Sequence, residues 1–276
     1  MIQKTILDSI EETQTIFIEK DYFTIEYMPK KIKHRDSQIE RIAYNIQDRL
    51  SQNKRPYHMV LNGTYGTGKT LTIKYIFKEV ERKYPKVKAV HINCNTSKSS
   101  YQIYLRILEK LYNKGFNVSG LSTFDIWNKI IKKISLKNII LLVALDDIVS
   151  VKNNRDLNDV LYNLLRVSET DKRAKIAVFS VTNVDTFLFL DGAVQTAFNA
   201  IDINFPKYDL GQIQSIISER CKLGLYNGAI ADEIIADVAK YAYDRDDLRS
   251  GLDRIYKAGL EAEFEGSSKI LKRHFK

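Results

Sequence analysis

The nine residues Asn62-Gly63-Thr64-Tyr65-Gly66-Thr67-Gly68-Lys69-Thr70 leave the chain around them few ways to fold. They fit the spacing G-x-x-x-x-G-K-S/T at Gly63, Gly68, Lys69 and Thr70, which works where a strand ends, a tight loop turns and a helix begins. Tyr57 to Leu61 ahead of the loop reads as a short buried strand. Leu71 to Val80 behind it reads as a helix, with Ile73, Ile76 and Val80 at helical spacing. In such a unit the glycines let successive backbone N–H groups turn inward, and a helix opening at Gly68 points the positive end of its dipole the same way. Donors converging like this suit an anion, so the loop from Gly63 to Leu71, with Thr64, Tyr65, Gly66 and Thr67 in between, predicts a bound nucleoside triphosphate. Lys69 is expected to reach the β- and γ-phosphates and the Thr70 hydroxyl to hold Mg²⁺.

Five short apolar, partly β-branched runs alternate with helical segments: Tyr57 to Leu61, Val87 to Ile92, Ile139 to Ala144, Ile176 to Val181 and Ile201 to Phe205. That rhythm predicts an α/β fold with a five-stranded parallel sheet. Ahead of the first run, Ile39, Ile42, Ile46 and Leu50 mark one face of a helix that Pro29 limits upstream. After the fifth run only helical patterns follow, over Ile213 to Leu223, Ala231 to Tyr243 and Asp247 to Phe264. The chain is therefore expected to divide near Pro206, into a nucleotide-binding base over 1–205 and a small all-helical domain over 206–276. The stretch from Ser97 to Lys137 reads as mostly helical, with a loop-like break from Gly115 to Ser122.

At 276 residues the chain can bury a substantial core, and 43 basic against 34 acidic side chains leave a net +9 that permits a polyanionic partner. No apolar run approaches the length of a membrane span. The first residues, with Lys4, Asp8, Glu11 and Glu12, lack the apolar core of a signal peptide, so a cytoplasmic protein is expected. Cys94 and Cys221 are far apart and no His/Cys cluster exists, which supports neither a disulfide framework nor a zinc site. On that view the sequons at Asn62, Asn95 and Asn117 are accidental.

The third run ends Leu145-Asp146-Asp147, delivering carboxylates at the carboxyl end of a strand, where open α/β sheets bind ligands. Asp146 is expected to coordinate Mg²⁺ through water, and Asp147 to orient the attacking water. The fourth run ends Ser180-Val181-Thr182-Asn183. A strand lying between the other two would present Asn183 to the γ-phosphate, where a neutral amide could hold the lytic water. In the helical region Leu248, Leu252, Ile255, Tyr256 and Gly259 form a stripe with Arg249 beside it. That guanidinium could reach the γ-phosphate across an interdomain cleft, or could simply be exposed beside Asp246 and Asp247.

Together these motifs resemble the AAA+ module of the archaeal replication initiators, a family related to eukaryotic origin-recognition and cell-division-control proteins. The resemblance runs from about Phe17 to Glu263. It takes in Tyr27-Met28-Pro29 through Arg35-Asp36-Ser37-Gln38-Ile39, His91-Ile92-Asn93-Cys94, Leu145 to Ile148, Val160 to Leu165, Val181-Thr182-Asn183, Asn204-Phe205-Pro206-Lys207-Tyr208 and Asp247-Leu248-Arg249. The resemblance implies adenine specificity, with ATP or ADP and Mg²⁺ bound. It makes Asn183 the first sensor and Arg249 the second, places Tyr208 beside the nucleotide, and puts a DNA-contacting helix in the stretch after Asn93-Cys94.

The chain departs from that pattern in three places. The family's Leu-Asp-x-Arg-Val segment offers an arginine finger to a neighbouring subunit, and here it reads Leu190-Asp191-Gly192-Ala193-Val194. An arginine finger supplies roughly 10³ to 10⁵ in rate, so hydrolysis is expected to be weak. Asp147 replaces the usual glutamate and is shorter by about 1.5 Å. The family pattern continues into a winged-helix DNA-binding domain, whereas this sequence stops at Lys276 after Lys269, Lys272 and Arg273; a shortened form of a longer protein and a naturally short relative both fit. The expected function is an ATP-binding, slowly hydrolysing switch, monomeric or weakly oligomeric, acting on double-stranded origin DNA and other replication proteins and on no membrane. The alternative is an interaction module that binds nucleotide but has lost hydrolysis and DNA binding. A small-molecule kinase fits less well, because Asn183 and Arg249 suit hydrolysis and state reading.

Overall fold

The computed structural model describes residues 16–24, 26–112, 118–151, 154–183 and 190–275. Lys4, Asp8, Glu11, Glu12, Gly115, Asn117 and Lys276 lie outside them. The described residues form two compact units, one of residues 35–63 and 68–205, the other of residues 16–34, 64–67 and 206–275.

The first unit is the α/β base. In chain order it holds α1 (Asp36–Ser51), β1 (His58–Asn62), α2 (Lys69–Lys83), β2 (Val87–Asn93), α3 (Ser100–Tyr112), α4 (Thr123–Leu136), β3 (Ile140–Asp146), α5 (Asn154–Leu165), the single turn α6 (Val167–Thr170), β4 (Lys175–Thr182), α7 (Gly192–Ala197) and β5 (Ala200–Asn204). The strands lie in the order β2-β3-β4-β1-β5 and every pairing is parallel. Parallel strands covered by helices on both faces need apolar side chains on both faces. This is why β3 is buried at every residue and why these segments read as continuous apolar runs. The five predicted strands are found with their ends moved by at most two residues. Two buried clusters flank the sheet: Ile42, Ile46, Ile73, Ile76 and Phe77 pack on one face, and Ile103, Tyr104, Trp127, Ile130 and Leu161 on the other. A capping box starts α4, with Ser122 accepting from the Asp125 N–H while Asp125 accepts from the Ser122 N–H.

His58 opens β1 beneath this core and carries a pH dependence. Its Nδ1 accepts from the Val178 N–H at 3.0 Å, and the Arg55 guanidinium sits against the other ring nitrogen. Burial, and then the Arg55 charge, push its pKa from the ordinary 6.5 down to about 3. A folded pKa below the unfolded one means that the unfolded chain binds the extra proton first. The stability contributed is therefore complete above 6.5 and lost as pH falls toward 3. At pH 4.5 the loss is on the order of 3 kcal/mol, at about 1.4 kcal/mol per unit. Chemical denaturation of His58→Asn, whose amide oxygen can accept from Val178 without titrating, is expected to show a flatter stability profile than wild type between pH 4.5 and 6.5. An unchanged acid limb in the variant would remove His58 as its cause.

The second unit is helical, built on α8 (Leu210–Gly224), α9 (Asp232–Asp244) and α10 (Leu248–Phe264). The sequence reading put everything before Pro206 in the base, but residues 16–34 group with this unit. The reason is steric. Phe17 seats its ring on Gly259 of α10, where a Cβ would come within 2.3 Å of it, and Phe23 seats on Gly224 of α8, where the corresponding distance is 2.5 Å. The two rings meet edge to face at 5.7 Å. Glu263 Oε1 then accepts the backbone N–H groups of Ile16 and Phe17 at 3.3 and 3.4 Å, and Lys20 pairs with the same carboxylate at 3.0 Å. Cys94 and Cys221 are free buried thiols, each pushed by burial up to about 12, which leaves them protonated at neutral pH.

Candidate nucleotide site

Within the base, parallel register brings the carboxyl ends of the strands into one row: Asn93 of β2 pairs with Asp146 of β3, Asp146 with Val181 of β4, and Asn62 of β1 with Thr182 of β4 and Asn204 of β5. β4 lies between β3 and β1, so Asn183, half-buried just past β4, emerges between the acidic end of β3 and the loop that leaves β1.

That loop turns on three glycines with positive φ: Gly63 at 151°, Gly66 at 73° and Gly68 at 85°. Backbone of this kind exposes successive N–H groups to one concavity. At Gly63 the glycine is also forced by space, since a Cβ would lie 2.4 Å from the Phe205 carbonyl oxygen. Gly68 caps α2, and Lys69 in its first turn is buried with Nζ donating to the Gly63 carbonyl at 2.7 Å. Tyr65 at the loop tip is exposed and Leu71 half-buried. Thr67 is buried and donates through Oγ1 to the Thr64 carbonyl at 2.9 Å.

Thr70 Oγ1 donates to Asp146 Oδ2 at 2.7 Å, so the two oxygen ligands expected for a divalent cation stand together. Burial pushes the Asp146 carboxyl up, but hydrogen bonds from His91 and Thr70, aided by the His91 and Lys74 charges, outweigh it and hold the group below the ordinary carboxylate range. Asp146 is thus an anion at neutral pH. Asp147 follows in left-handed backbone at φ 53°, its N–H donating to the Val181 carbonyl at 3.0 Å and its Oδ2 accepting from Asn95 Nδ2 at 2.8 Å. No group of three or more His, Cys, Asp or Glu side chains among the described residues could cage a metal alone. A hydroxyl beside one buried carboxylate instead suits Mg²⁺ that takes its remaining ligands from phosphate and water. The residues present fit a nucleoside triphosphate with Mg²⁺: a positive-φ glycine cradle, a buried ammonium and a hard-oxygen pair.

Besides Thr64, Tyr65, Gly66 and Thr67 of the loop, two further predicted residues, Tyr208 and Arg249, group with the helical unit. Tyr208 is buried in its core. Arg249 is exposed in the first turn of α10, where its N–H is capped by Asp247 Oδ1 at 3.0 Å. Asp246 pairs with Lys207, and Arg249 makes no ion pair among the described residues. Ala193 is exposed on α7. Sequence reasoning missed the contacts of His91 and Asn95 with the two carboxylates. His91 was visible only as part of a family-like string, because nothing in one chain says which strand lies beside β3.

The family model described as the Cdc6 AAA+ ATPase-type lid domain matches residues 214–276, and that of the NB-ARC domain matches residues 39–180. ORC1-type DNA replication protein 6 of Halobacterium salinarum is 31% identical over 260 residues, covering 93% of this chain and 69% of that protein. ORC1-type DNA replication protein 2 of Methanosarcina mazei is 32% identical over 259 residues, covering 94% and 69%. The chain belongs to the ORC1-type replication initiator family.

The ORC1-type chain shares its fold with the Aeropyrum pernix ORC1 protein solved in complex with DNA, at a TM-score of 0.82 and 23% identity over 95% of this chain and 68% of that one. It is similar to Cdc6p of Pyrobaculum aerophilum at a TM-score of 0.78 and 26% identity, over 92% and 69%. The expected five-stranded AAA+ base with a helical lid is the fold found. Among the described residues, no helix of this initiator is long and apolar enough to cross a membrane.

Proposed function

We propose that this ORC1-type chain is a slow ATP-hydrolysing switch whose nucleotide state governs contact with duplex DNA and other replication proteins. The observation that carries the reading is the pairing of Thr70 with Asp146 beside a glycine loop that holds the Lys69 ammonium. In this reading Lys69 and the loop N–H groups bind the phosphates, and Thr70 and Asp146 hold Mg²⁺, which supplies charge neutralisation at the phosphates when bound. Asp147 and Asn183 orient water, while Arg249 and Tyr208 respond to the nucleotide from the helical unit. The slow rate follows from Ala193, since no guanidinium stands at that position to be offered to a neighbouring subunit. DNA contact is supported by the net charge of +9 and by α4, which exposes Phe124, Lys132 and Leu136, with Lys137 exposed just past its end.

Calorimetric titration of wild type and Arg249→Ala with ATP and ADP tests the switch. Wild type is expected to distinguish the two nucleotides, and the variant to lose about 1.5 to 3 kcal/mol of ATP affinity, the range of a charged hydrogen bond, with little change for ADP. Equal affinity for both nucleotides in both proteins removes the basis of a switch. Ala193 also favours a second reading, an interaction module with neither hydrolysis nor DNA binding. That reading expects no duplex DNA binding even at low salt, whereas the first expects binding that weakens steeply as salt is added.

A further inference from the structure

Asp146 Oδ2 is held from two sides. Thr70 donates to it from α2 at 2.7 Å, and His91 Nε2 lies 2.8 Å away on β2. An ionised carboxylate only accepts, so His91 carries its hydrogen on Nε2 and donates. Register places His91 two residues before Asn93, the direct partner of Asp146. Side chains alternate along β2, and Val87 and Ala89 share a face with His91, the face packed against α2. Three elements thus converge on one carboxylate oxygen in a site where Asp146 is 6% exposed.

We infer that His91 is a positioning residue for the cation site: it fixes the rotation of the Asp146 carboxylate, so that Oδ2 is committed to Thr70 and His91 while Oδ1 is left for the Mg²⁺ shell. With the imidazole gone, Thr70 is the one side chain still hydrogen-bonded to Asp146 among the described residues. A cation that needs near-ideal octahedral geometry must then recruit a carboxylate free to turn. Support from behind a ligand typically changes metal affinity by about 10- to 100-fold in sites built wholly of protein ligands. Here phosphate oxygens share the cation, so the effect falls at the low end. The inference rests on the nucleotide reading of the same loop.

The test is a titration of a fluorescent ADP analogue in EDTA and again across a Mg²⁺ series, on wild type, His91→Phe and His91→Gln. His91→Phe keeps a ring and loses the donor, whereas His91→Gln keeps a donor of similar reach. In His91→Phe the expected result is metal-free affinity within about twofold of wild type and a Mg²⁺ half-saturation raised about five- to tenfold, with His91→Gln returning to within about threefold of wild type. Wild-type Mg²⁺ dependence in His91→Phe overturns the inference, as does a His91→Gln variant no better than His91→Phe, which would make the role one of ring packing. Wild type that binds no nucleotide in either condition overturns the nucleotide reading and this inference together, an outcome distinct from the other two.

Discussion

Lys69→Ala is expected to weaken binding of ATP by at least about a hundredfold, the largest loss from any single side chain in this loop, and binding of ADP by about ten- to a hundredfold. Lys69 is 8% exposed, and the hydrogen bond of its ammonium to the Gly63 carbonyl at 2.7 Å holds it inside the curve of the loop. Hydrogen bonds to charged groups contribute roughly 1.5 to 3 kcal/mol each. Two of them, to β- and γ-phosphate oxygens, come to about 3 to 6 kcal/mol, and every 1.4 kcal/mol is a factor of ten. ADP offers only the β-phosphate, so the loss for ATP should exceed that for ADP. A fluorescent-nucleotide titration measures both, with circular dichroism confirming that the variant is folded. Affinity within fivefold of wild type for ATP would mean that this ammonium does not grip phosphate.

Gly63→Ala is expected to damage the fold itself, lowering stability by about 3 kcal/mol or more and the melting temperature by about 8 °C or more. Two causes act together. The φ of 151° disfavours any side chain, and the added Cβ would sit 2.4 Å from the Phe205 carbonyl oxygen. Neither side gives way easily, because the Phe205 N–H donates to the Asn62 carbonyl at 2.8 Å and extends the β1–β5 ladder to the edge of the loop. Gly228→Ala is the control, since Gly228 has a φ of 78° but nothing within 4 Å of an added Cβ. It is expected to cost about 1 kcal/mol. Thermal melting of the two variants separates strain from collision. Equal melting temperatures would show that the loop yields.

The strands were legible because a parallel sheet with helices on both faces demands continuous apolar segments, and β3 and β4 supply them from Ile140 and Ile176 onward. The phosphate loop was legible because its glycines are dictated by backbone geometry that leaves a spacing in the sequence. Asp146 followed from its place at a strand end. The grouping of residues 16–34 with the helical unit was not legible, because the decisive feature is an absence of side chains. Gly224 and Gly259 look like weak points in helices until Phe23 and Phe17 are seen to occupy the space they leave. His91 and Asn95 escaped for another reason. Their chemistry depends on β2 lying against β3, and strand order is a property of the assembled sheet that periodicity does not encode.

The hold of Glu263 on the N–H groups of Ile16 and Phe17 bridges 247 and 246 residues of sequence. On a ribosome, residues 16–34 are made long before α8 and α10, which seat Phe23 and Phe17. Every strand of the sheet is synthesised before α8 begins, so the α/β unit can condense while the amino-terminal strap is still waiting for its partner. Closing such a distant contact adds little to the final entropy cost but puts it last in time. Until α8 and α10 are made, the nascent chain carries Phe23 and Phe17 uncovered, a span during which a holding chaperone has two aromatic rings to grasp.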